Sequence, residues 1–478
     1  MEVAAGLVGE YPDGVWLVEL ASLSDPALVA QVVLAALGLR EQPGLPPIET
    51  IVAALRAGRP LLILDNCEHL VAACAQLAQT LLTACPGLRI LATSREPLEI
   101  PAERAWRVPS LSVPGREDGT NIEHLLRSEA VRLFADRASH RQAGFEVTPE
   151  NAPAIAAICR RLDGIPLALE LAAARVRTLP VEQIAARLSV DPQASLGLLA
   201  GGNRTAPPRQ QTLRATLDWS HALLSGPERV LFGRLSVFAG GWSLEAAEAV
   251  GCGEHVDRAS VLDLLSSLAD KSLVEAEAVP GGAVRYRHLE PVRQYAAERL
   301  EESGEAEEVR RRHADWVLML VERPRGQTGA GHDEDRRWLN SLDRERDNLR
   351  AALAWSVECG PAELALRLVA VSAPVWGIRG PLSEGRRWMD AALARRHEAP
   401  PVLRAEALGE AGYMAVMQDD HERAEPLYEE ALAIARALGL WRGIGWCLRH
   451  LANVALARAD FERVTDLCEQ AMAVFEGV

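Results

Sequence analysis

The sequence predicts a multidomain, mainly helical protein with an α/β layer near its N-terminus and stacked helix pairs at its C-terminus. With 478 residues, the chain has room for about three domains. Hydrophobic residues make up 49% and aromatic residues only 5%, and Ala and Leu, both strong helix formers, dominate by inspection. This composition excludes a mostly disordered chain and disfavours a β-sandwich or barrel.

The net charge and the cysteine content indicate which kinds of partner and which cellular location to expect. A net charge of −15 disfavours nucleic acid as the main partner, because neutralising phosphates needs a surplus of Lys and Arg. The eight Cys residues include no C-x-x-C pair and no zinc-finger spacing, so we expect reduced, mostly buried thiols. No apolar run approaches the ~20 residues of a membrane span. We therefore expect a cytoplasmic protein with no membrane partner.

The α/β layer is predicted from three short apolar runs near the N-terminus. The runs at 15–20, 61–64 and 88–92 are typical of strands buried on both faces of a parallel sheet. Helical spacing at 26–39 and 68–82 fills the intervals between them. Strands that alternate with helices in this way predict one parallel α/β layer.

The strand signals stop at about residue 123. Helical spacing at 128–139, 149–162 and 166–177 predicts an all-helical subdomain. The polar stretch at 201–209, which contains Gly and Pro, is predicted to be a linker.

Beyond the linker, several helices are followed by two short strands. Two apolar runs flank Pro280, Gly281 and Gly282, which favours a two-stranded hairpin after the helices, as in a winged helix-turn-helix. The predicted helices are 213–224, 227–235, 243–250 and 260–268, and the predicted strands are 272–275 and 284–287.

The C-terminal region is predicted to be helical and repetitive. The segment that begins at Glu422 returns 40 residues later at Glu462, and a weaker copy precedes it by 39 residues. A period near 40 is typical of stacked helix pairs, although chance similarity among Ala-rich amphipathic helices is the alternative. We expect a partner on a concave face, beside the polar positions Glu429, Glu430 and Glu469.

Two strand ends carry side chains suited to chemistry. Residues 60–66 read Pro-Leu-Leu-Ile-Leu-Asp-Asn, and a carboxylate after a buried strand can hold Mg²⁺ through water. The alternative is structural, because Asp also caps helices. The next strand ends in Thr93, Ser94 and Arg95, and ligands of open α/β sheets lie at this edge.

Taken together, the motifs resemble a known family. The chain is similar to bacterial signal-transduction ATPases with numerous domains, the STAND class, close to ATP-binding transcriptional regulators of the LuxR and AfsR kind. The matching stretches include LILDNCEHL at 62–70, ILATSREPL at 90–98, RLDGIPLALELAAARV at 161–176 and RLSVFAGGWSLEAAEAV at 234–250. The likeness covers residues 2 to 300 in order and extends more loosely into the repeats.

The resemblance implies four parts. Residues 1–118 would form a P-loop NTPase-like α/β domain that lacks its first strand and the Walker A loop. Residues 119–200 would form a helical lid, 201–303 a winged helix, and 304–478 a region of TPR-like helical repeats, incomplete at its C-terminus. We therefore expect a fragment or truncated form of a nucleotide-switched regulator.

The resemblance also implies a site for ATP or ADP with Mg²⁺. Asp65 would be the Walker B acid that holds Mg²⁺ through water, and Thr93 would lie beside it. Arg95 would be the sensor of the terminal phosphate, although a surface cation is the alternative. Gly164 and Pro166 would form the turn that packs on adenine, although they also suit the end of one helix and the start of another.

Departures from the family pattern reduce the expected activity. Asn66 stands where many hydrolytic relatives keep a second acid, so slow, switch-like turnover is expected of an intact protein. Leu289 occupies the usual phosphate-contacting His position. The only lysine among 51 Lys and Arg residues is Lys271, far from any Gly-rich loop, so no G-x-x-x-x-G-K-[ST] motif exists. We expect this chain to bind nucleotide weakly or not at all, and whether it is an ATPase stays open.

Three functions compete at this stage. The first is a STAND-type regulator whose repeats sense a protein or small-molecule inducer and which can self-associate, with DNA bound only through a domain not in this chain. The second is a nucleotide-independent protein-interaction scaffold. The third is a repressor that binds DNA through the winged helix.

Overall fold

A computed structural model gives the fold of most of the chain. It describes residues 2–23, 25–42, 44–94, 96–101, 103–115, 122–189, 208–279, 284–322, 342–379 and 381–476. These residues group into two compact units, the first made of Met1–Ala105 and Arg310–Val478 and the second of Trp106–Val309. Among the described helices, none combines the length and the apolar composition that crossing a bilayer requires.

A three-stranded parallel sheet lies in the N-terminal part of the first unit. Its strands are β1 Val15–Glu19, β2 Leu61–Asp65 and β3 Arg89–Ala92, in the order β1-β2-β3. The described helices of this part are α1 Glu2–Leu7, α2 Val29–Ala36, α3 Pro47–Leu55 and α4 Val71–Ala84. The predicted α/β layer is therefore confirmed.

Burial explains the sequence pattern of the central strand. Leu62 and Leu64, on one face of β2, belong to a core with side chains of α2, α3 and α4. Leu61 and Ile63, on the opposite face, are buried as well. Because both faces of β2 are covered, its sequence is a continuous apolar run rather than an alternation.

The second unit begins with a helical subdomain. Its helices pack around a core that includes Phe134, Ile155 and Leu169. Their bounds are α5 Ile122–Leu125, α6 Glu129–Arg141, α7 Ala152–Arg161, α8 Pro166–Ala173 and α9 Val181–Ser189.

Between residues 208 and 303, the described part of the second unit contains five helices and a two-stranded hairpin. The bounds are α10 Pro208–Ala222, α11 Gly226–Arg234, α12 Leu244–Gly251, α13 Val261–Asp270, β4 Glu275–Ala278, β5 Val284–Arg287 and α14 Glu290–Ser303. Strand β4 begins at the last residue of the predicted strand 272–275, so that prediction was wrong. The reason is that Ser272 has a positive φ of 56° and that Leu273 and Val274 enter the core, each 2% exposed, before the strand starts.

The C-terminal region is helical throughout its described part. The helices are α15 Ala306–Val321, α16 Arg346–Glu358, α17 Ala362–Arg379, α18 Leu382–Ala394, α19 Pro401–Met417, α20 His421–Ala437, α21 Trp441–Ala457 and α22 Phe461–Glu476. Helices α19 to α22 pack as consecutive antiparallel neighbours. The small Gly412 allows this packing, because a Cβ there would lie 2.8 Å from the ring of Tyr428 in α20.

Helix α18 connects the repeat region to the α/β layer inside the first unit. The hydroxyl and the backbone N–H of Ser383 donate to the Glu41 carboxylate, and Arg387 pairs with Asp25. Glu384, one residue along, is fully buried and accepts two hydrogen bonds from Arg350 of α16.

Candidate functional site

The candidate site lies where β2 and β3 end. Leu64 pairs with Ala92 in the parallel register, so the next residues of the two strands, Asp65 and Thr93, are neighbours. The Thr93 hydroxyl donates to Oδ1 of Asp65 at 2.5 Å and accepts from the backbone N–H of Asn66 at 2.9 Å. One threonine thus fixes the carboxylate and the turn that follows it.

Backbone hydrogen bonds hold this arrangement on both sides. The N–H of Thr93 donates to the Leu64 carbonyl, and the N–H of Cys67 donates to the Thr93 carbonyl, each at 2.9 Å. Between them, Asn66 adopts the left-handed conformation with φ 66° and ψ 53°. Asn is one of the few residue types that tolerate this conformation, so Asn66 has a local structural role as well as its position in the motif.

The donor atoms suit a hydrated magnesium ion. Asp65 is half-buried and Thr93 is exposed, and both offer oxygen atoms, which Mg²⁺ prefers. Among the residues that the structure describes, no group of three or more His, Cys, Asp or Glu side chains could hold a metal ion alone. Mg²⁺ in proteins is commonly bound by one or two carboxylates, water and ligand phosphates.

Three further residues were predicted for the site. Arg95 lies outside the described residues. Gly164 and Pro166 belong to the second unit, where Pro166 is the first residue of α8. Gly164 has φ +63°, and a Cβ on it would lie 2.1 Å from the carbonyl oxygen of Leu111, whose N–H donates back to the Gly164 carbonyl at 3.0 Å. Only glycine fits this turn.

The one lysine of the chain has a structural partner. The Lys271 ammonium binds the Glu228 carboxylate, which also accepts from the Ser267 hydroxyl at 2.5 Å and from the Ser225 backbone at 2.7 Å. Burial alone would raise the pKa of Glu228, but these hydrogen bonds and the Lys271 charge outweigh it and lower that pKa to about 2. Sequence reasoning placed Lys271 outside any phosphate loop but did not find this partner.

A buried histidine near the winged-helix hairpin was also missed. His288 lies with its ring centroid 4.9 Å from that of Trp242 and 5.3 Å from that of Phe232. Neither ring nitrogen has a hydrogen-bond partner among the residues that the structure describes, and burial lowers the pKa of His288 to about 3. The signal in the sequence was the alternation of Arg285, Tyr286, Arg287 and His288, which puts position 288 on the covered face.

Two family models match parts of the chain. A winged helix-turn-helix domain matches residues 224–301, and a tetratricopeptide repeat matches residues 403–477. Both elements were predicted from the sequence, and both are confirmed.

Two mycobacterial proteins are similar to long stretches of the chain. A Mycobacterium tuberculosis H37Rv protein named "Putative HTH-type transcriptional regulator Rv0890c" is 44% identical over 471 residues, 96% of this chain and 51% of that protein. The "Uncharacterized protein Rv0894" of the same strain is 44% identical over 315 residues, 66% of this chain and 75% of that protein. The chain belongs to the family of these mycobacterial proteins. It spans about half the length of the HTH-type relative.

The chain is also similar to a more distant regulatory protein. The regulatory protein AfsR of Streptomyces griseus is 30% identical over 297 residues, 60% of this chain and 27% of AfsR. The resemblance to regulators of the AfsR kind is thus confirmed by relatives, and the winged helix and repeats by the family models. The crystal structure of a STAND protein with a tetratricopeptide repeat sensor from Pyrococcus horikoshii covers 100% of this chain and 77% of its own, with 14% identity and a TM-score of 0.42.

Proposed function

We propose that the chain is the switch and sensor part of a transcriptional regulator, in which the α/β layer responds to ATP or ADP and the repeats bind the signal. One observation carries the proposal: the order of α/β layer, winged helix and repeats continues, at 44% identity over 96% of the chain, into a relative named for transcriptional regulation. The domain bounds 1–118, 119–200, 201–303 and 304–478 belong to this proposal.

The proposed nucleotide site uses the residues at the two strand ends. Asp65 holds Mg²⁺ through water, with its carboxylate oriented by the Thr93 hydroxyl. Arg95 reads the terminal phosphate, and the turn at Gly164 and Pro166 receives the base. Bound Mg²⁺ would supply charge that neutralises the phosphates. We derive no hydrolysis step, because Asn66 offers no general base.

Calorimetry tests the strength of nucleotide binding. Lys271, the only lysine, is bound to Glu228, so the phosphates would lack their usual lysine partner. We expect titration of the purified chain with Mg-ATP or Mg-ADP to give a dissociation constant no tighter than about 1 mM, which is about −4 kcal/mol. A value in the low micromolar range would contradict the expectation that the chain binds nucleotide weakly or not at all.

DNA binding through the winged helix is not part of the proposal. Helix α13 carries Asp263 and Asp270 and no basic residue. In the hairpin, Arg287 pairs with Glu275 at 2.8 Å, and Arg285 donates to the Gly240 carbonyl at 2.9 Å. These arginines already have partners within the domain. We assign DNA contact to parts of such regulators outside this chain.

A gel-shift assay tests the assignment of DNA contact. Non-specific DNA binding typically has a dissociation constant of about 10⁻⁴ to 10⁻⁶ M. We expect no shift of a duplex of mixed sequence at about 10 μM protein in low salt. A salt-sensitive shift that Arg285→Ala abolishes would favour the repressor function instead.

A nucleotide-independent scaffold is the second candidate. It is favoured by the structural use of Lys271 and by the contacts that α18 makes with both the α/β layer and α16. If Mg²⁺ and nucleotide together leave the melting temperature of the chain unchanged at millimolar concentrations while the repeats still bind a partner, the scaffold function is the better description.

A further inference from the structure

A cavity of about 540 Å³ lies within the tetratricopeptide repeats. It opens to solvent and is lined by residues of α19, α20 and α21, and small side chains leave room in it. These small lining residues are Ala405, Gly409, Ala431, Ala435 and Gly443. Ligand cavities commonly have volumes of roughly 300 to 1,000 Å³, so this one can receive one or two large side chains.

The indole of Trp446 forms a rigid apolar wall of the cavity. Its ring centroid lies 4.2 Å from that of His450 and 5.6 Å from that of Tyr428, and both of these rings are buried. On the other side, a Cβ at Gly409 would come within 2.7 Å of the indole. A half-buried Trp held on several sides is the type of residue that dominates binding energy at interfaces.

The rim of the cavity has more negative than positive charge. Glu406 and Glu410 lie one helical turn apart on α19, and Arg442 on α21 is the only basic lining residue. The Arg442 guanidinium lies over the ring of Trp441, 4.9 Å from its centroid. The surrounding repeats, residues 401–476, contain thirteen Asp and Glu but seven Arg. A positively charged ligand is therefore favoured electrostatically.

We propose that this cavity binds a basic peptide segment of a partner protein. One large apolar side chain of the segment packs on Trp446, and flanking Arg or Lys side chains pair with Glu406 and Glu410. The proposal rests on the proposed role of the repeats as a protein-binding region and names the chemistry of the partner.

The test uses the full chain and short fluorescein-labelled peptides of Gly and Ser with a central Trp flanked by Arg. Two comparison peptides carry Ser in place of the Trp, or Glu in place of each Arg. By fluorescence anisotropy we expect the Arg-Trp peptide to bind, more weakly as salt rises, and each comparison peptide to bind at least about tenfold more weakly, since a large apolar side chain contributes about 1.5–3 kcal/mol.

Variants of the chain test separately the negative charge at the rim and the open space of the cavity. Glu406→Gln with Glu410→Gln should weaken binding about fivefold and flatten its salt dependence, as expected for two partly exposed ion pairs. The matched control, Glu462→Gln with Glu476→Gln, removes the same charge from exposed positions on α22 and should change binding less than twofold.

Gly443→Leu should fill the cavity without changing charge, and Leu favours helix over Gly, so the fold should persist by circular dichroism. Binding should fall about tenfold.

Three results would overturn the proposal. The first is equal binding of the Glu-Trp peptide, which would leave the repeats as a protein-binding region but exclude a basic partner. The second is undiminished binding by the Gly443→Leu variant. The third is a dimer in sedimentation that Gly443→Leu dissociates, because it would assign the cavity to a second copy of the chain.

Discussion

The winged helix and the sheet edge use polar residues in opposite ways. In the winged helix, Arg234 is 1% exposed and donates to Glu305 at 2.8 Å and to the Gly251 carbonyl at 2.9 Å. At the sheet edge, Thr93 is exposed and Asp65 half-buried, and they bond chiefly to each other. Buried, satisfied polar groups serve the fold, whereas preorganised groups next to solvent can serve a ligand.

The largest expected effect is a loss of stability when the buried arginine of the winged helix is replaced. Arg234→Ala should lower the free energy of unfolding by about 3–5 kcal/mol, because it removes the buried guanidinium that pairs with Glu305 and donates to the buried Gly251 carbonyl. The matched control is Arg258→Ala, whose side chain is 77% exposed in its pair with Glu248 and should cost less than about 1 kcal/mol. Urea denaturation measures both. Equal losses would mean that the Arg234 network contributes no more than a surface pair.

The pH dependence of stability should also come from the winged helix. Because the pKa of His288 is lowered to about 3 by burial, the unfolded chain binds a proton there that the folded chain does not. The contribution of neutral His288 to the free energy of unfolding is therefore fully present above pH 6.5. It is lost as the pH falls toward 3, by at most about 1.4 kcal/mol per pH unit.

His288→Phe should reduce this slope of unfolding free energy between pH 6.5 and 4. His140→Gln, whose side chain is 70% exposed, serves as the control and should leave the slope unchanged. If the two variants have the same slope, His288 does not titrate on unfolding.

The sheet edge and the winged helix also differ in how far the sequence predicts them. The strand ends at Asp65 and Thr93 follow from continuous apolar runs, since parallel strands bring their carboxyl ends to one edge. The partner of Lys271 is a side chain 43 positions away in the chain, which no local pattern encodes, whereas the burial of His288 continues the alternation of the strand before it. The ion pairs of Glu429 with Arg463 and of Glu430 with Arg396 likewise join positions 34 residues apart, so the prediction that Glu429, Glu430 and Glu469 lie beside a partner-binding face did not include them.

A smaller effect is expected at the sheet edge itself. Thr93→Val keeps the β-branched shape but removes the hydroxyl that bonds Asp65 and Asn66, so unfolding should become easier by about 1 kcal/mol. Thr80→Val is the control, because the Thr80 hydroxyl bonds only the Gln76 carbonyl of its own helix. Thermal melting compares the two. A loss for Thr93→Val as large as that for Arg234→Ala would show that the edge is a structural network like that of the winged helix.

The most direct test of the central claim asks whether the sheet edge holds a metal ion with nucleotide. Mn²⁺ replaces Mg²⁺ as a paramagnetic probe, and electron paramagnetic resonance measures the fraction bound to the chain in the presence of millimolar ATP. We predict that Asp65→Asn lowers this fraction at least about fivefold, while Glu19→Gln, at the end of the neighbouring strand β1, leaves it unchanged. Equal Mn²⁺ binding by the intact chain and the Asp65→Asn variant would contradict the account.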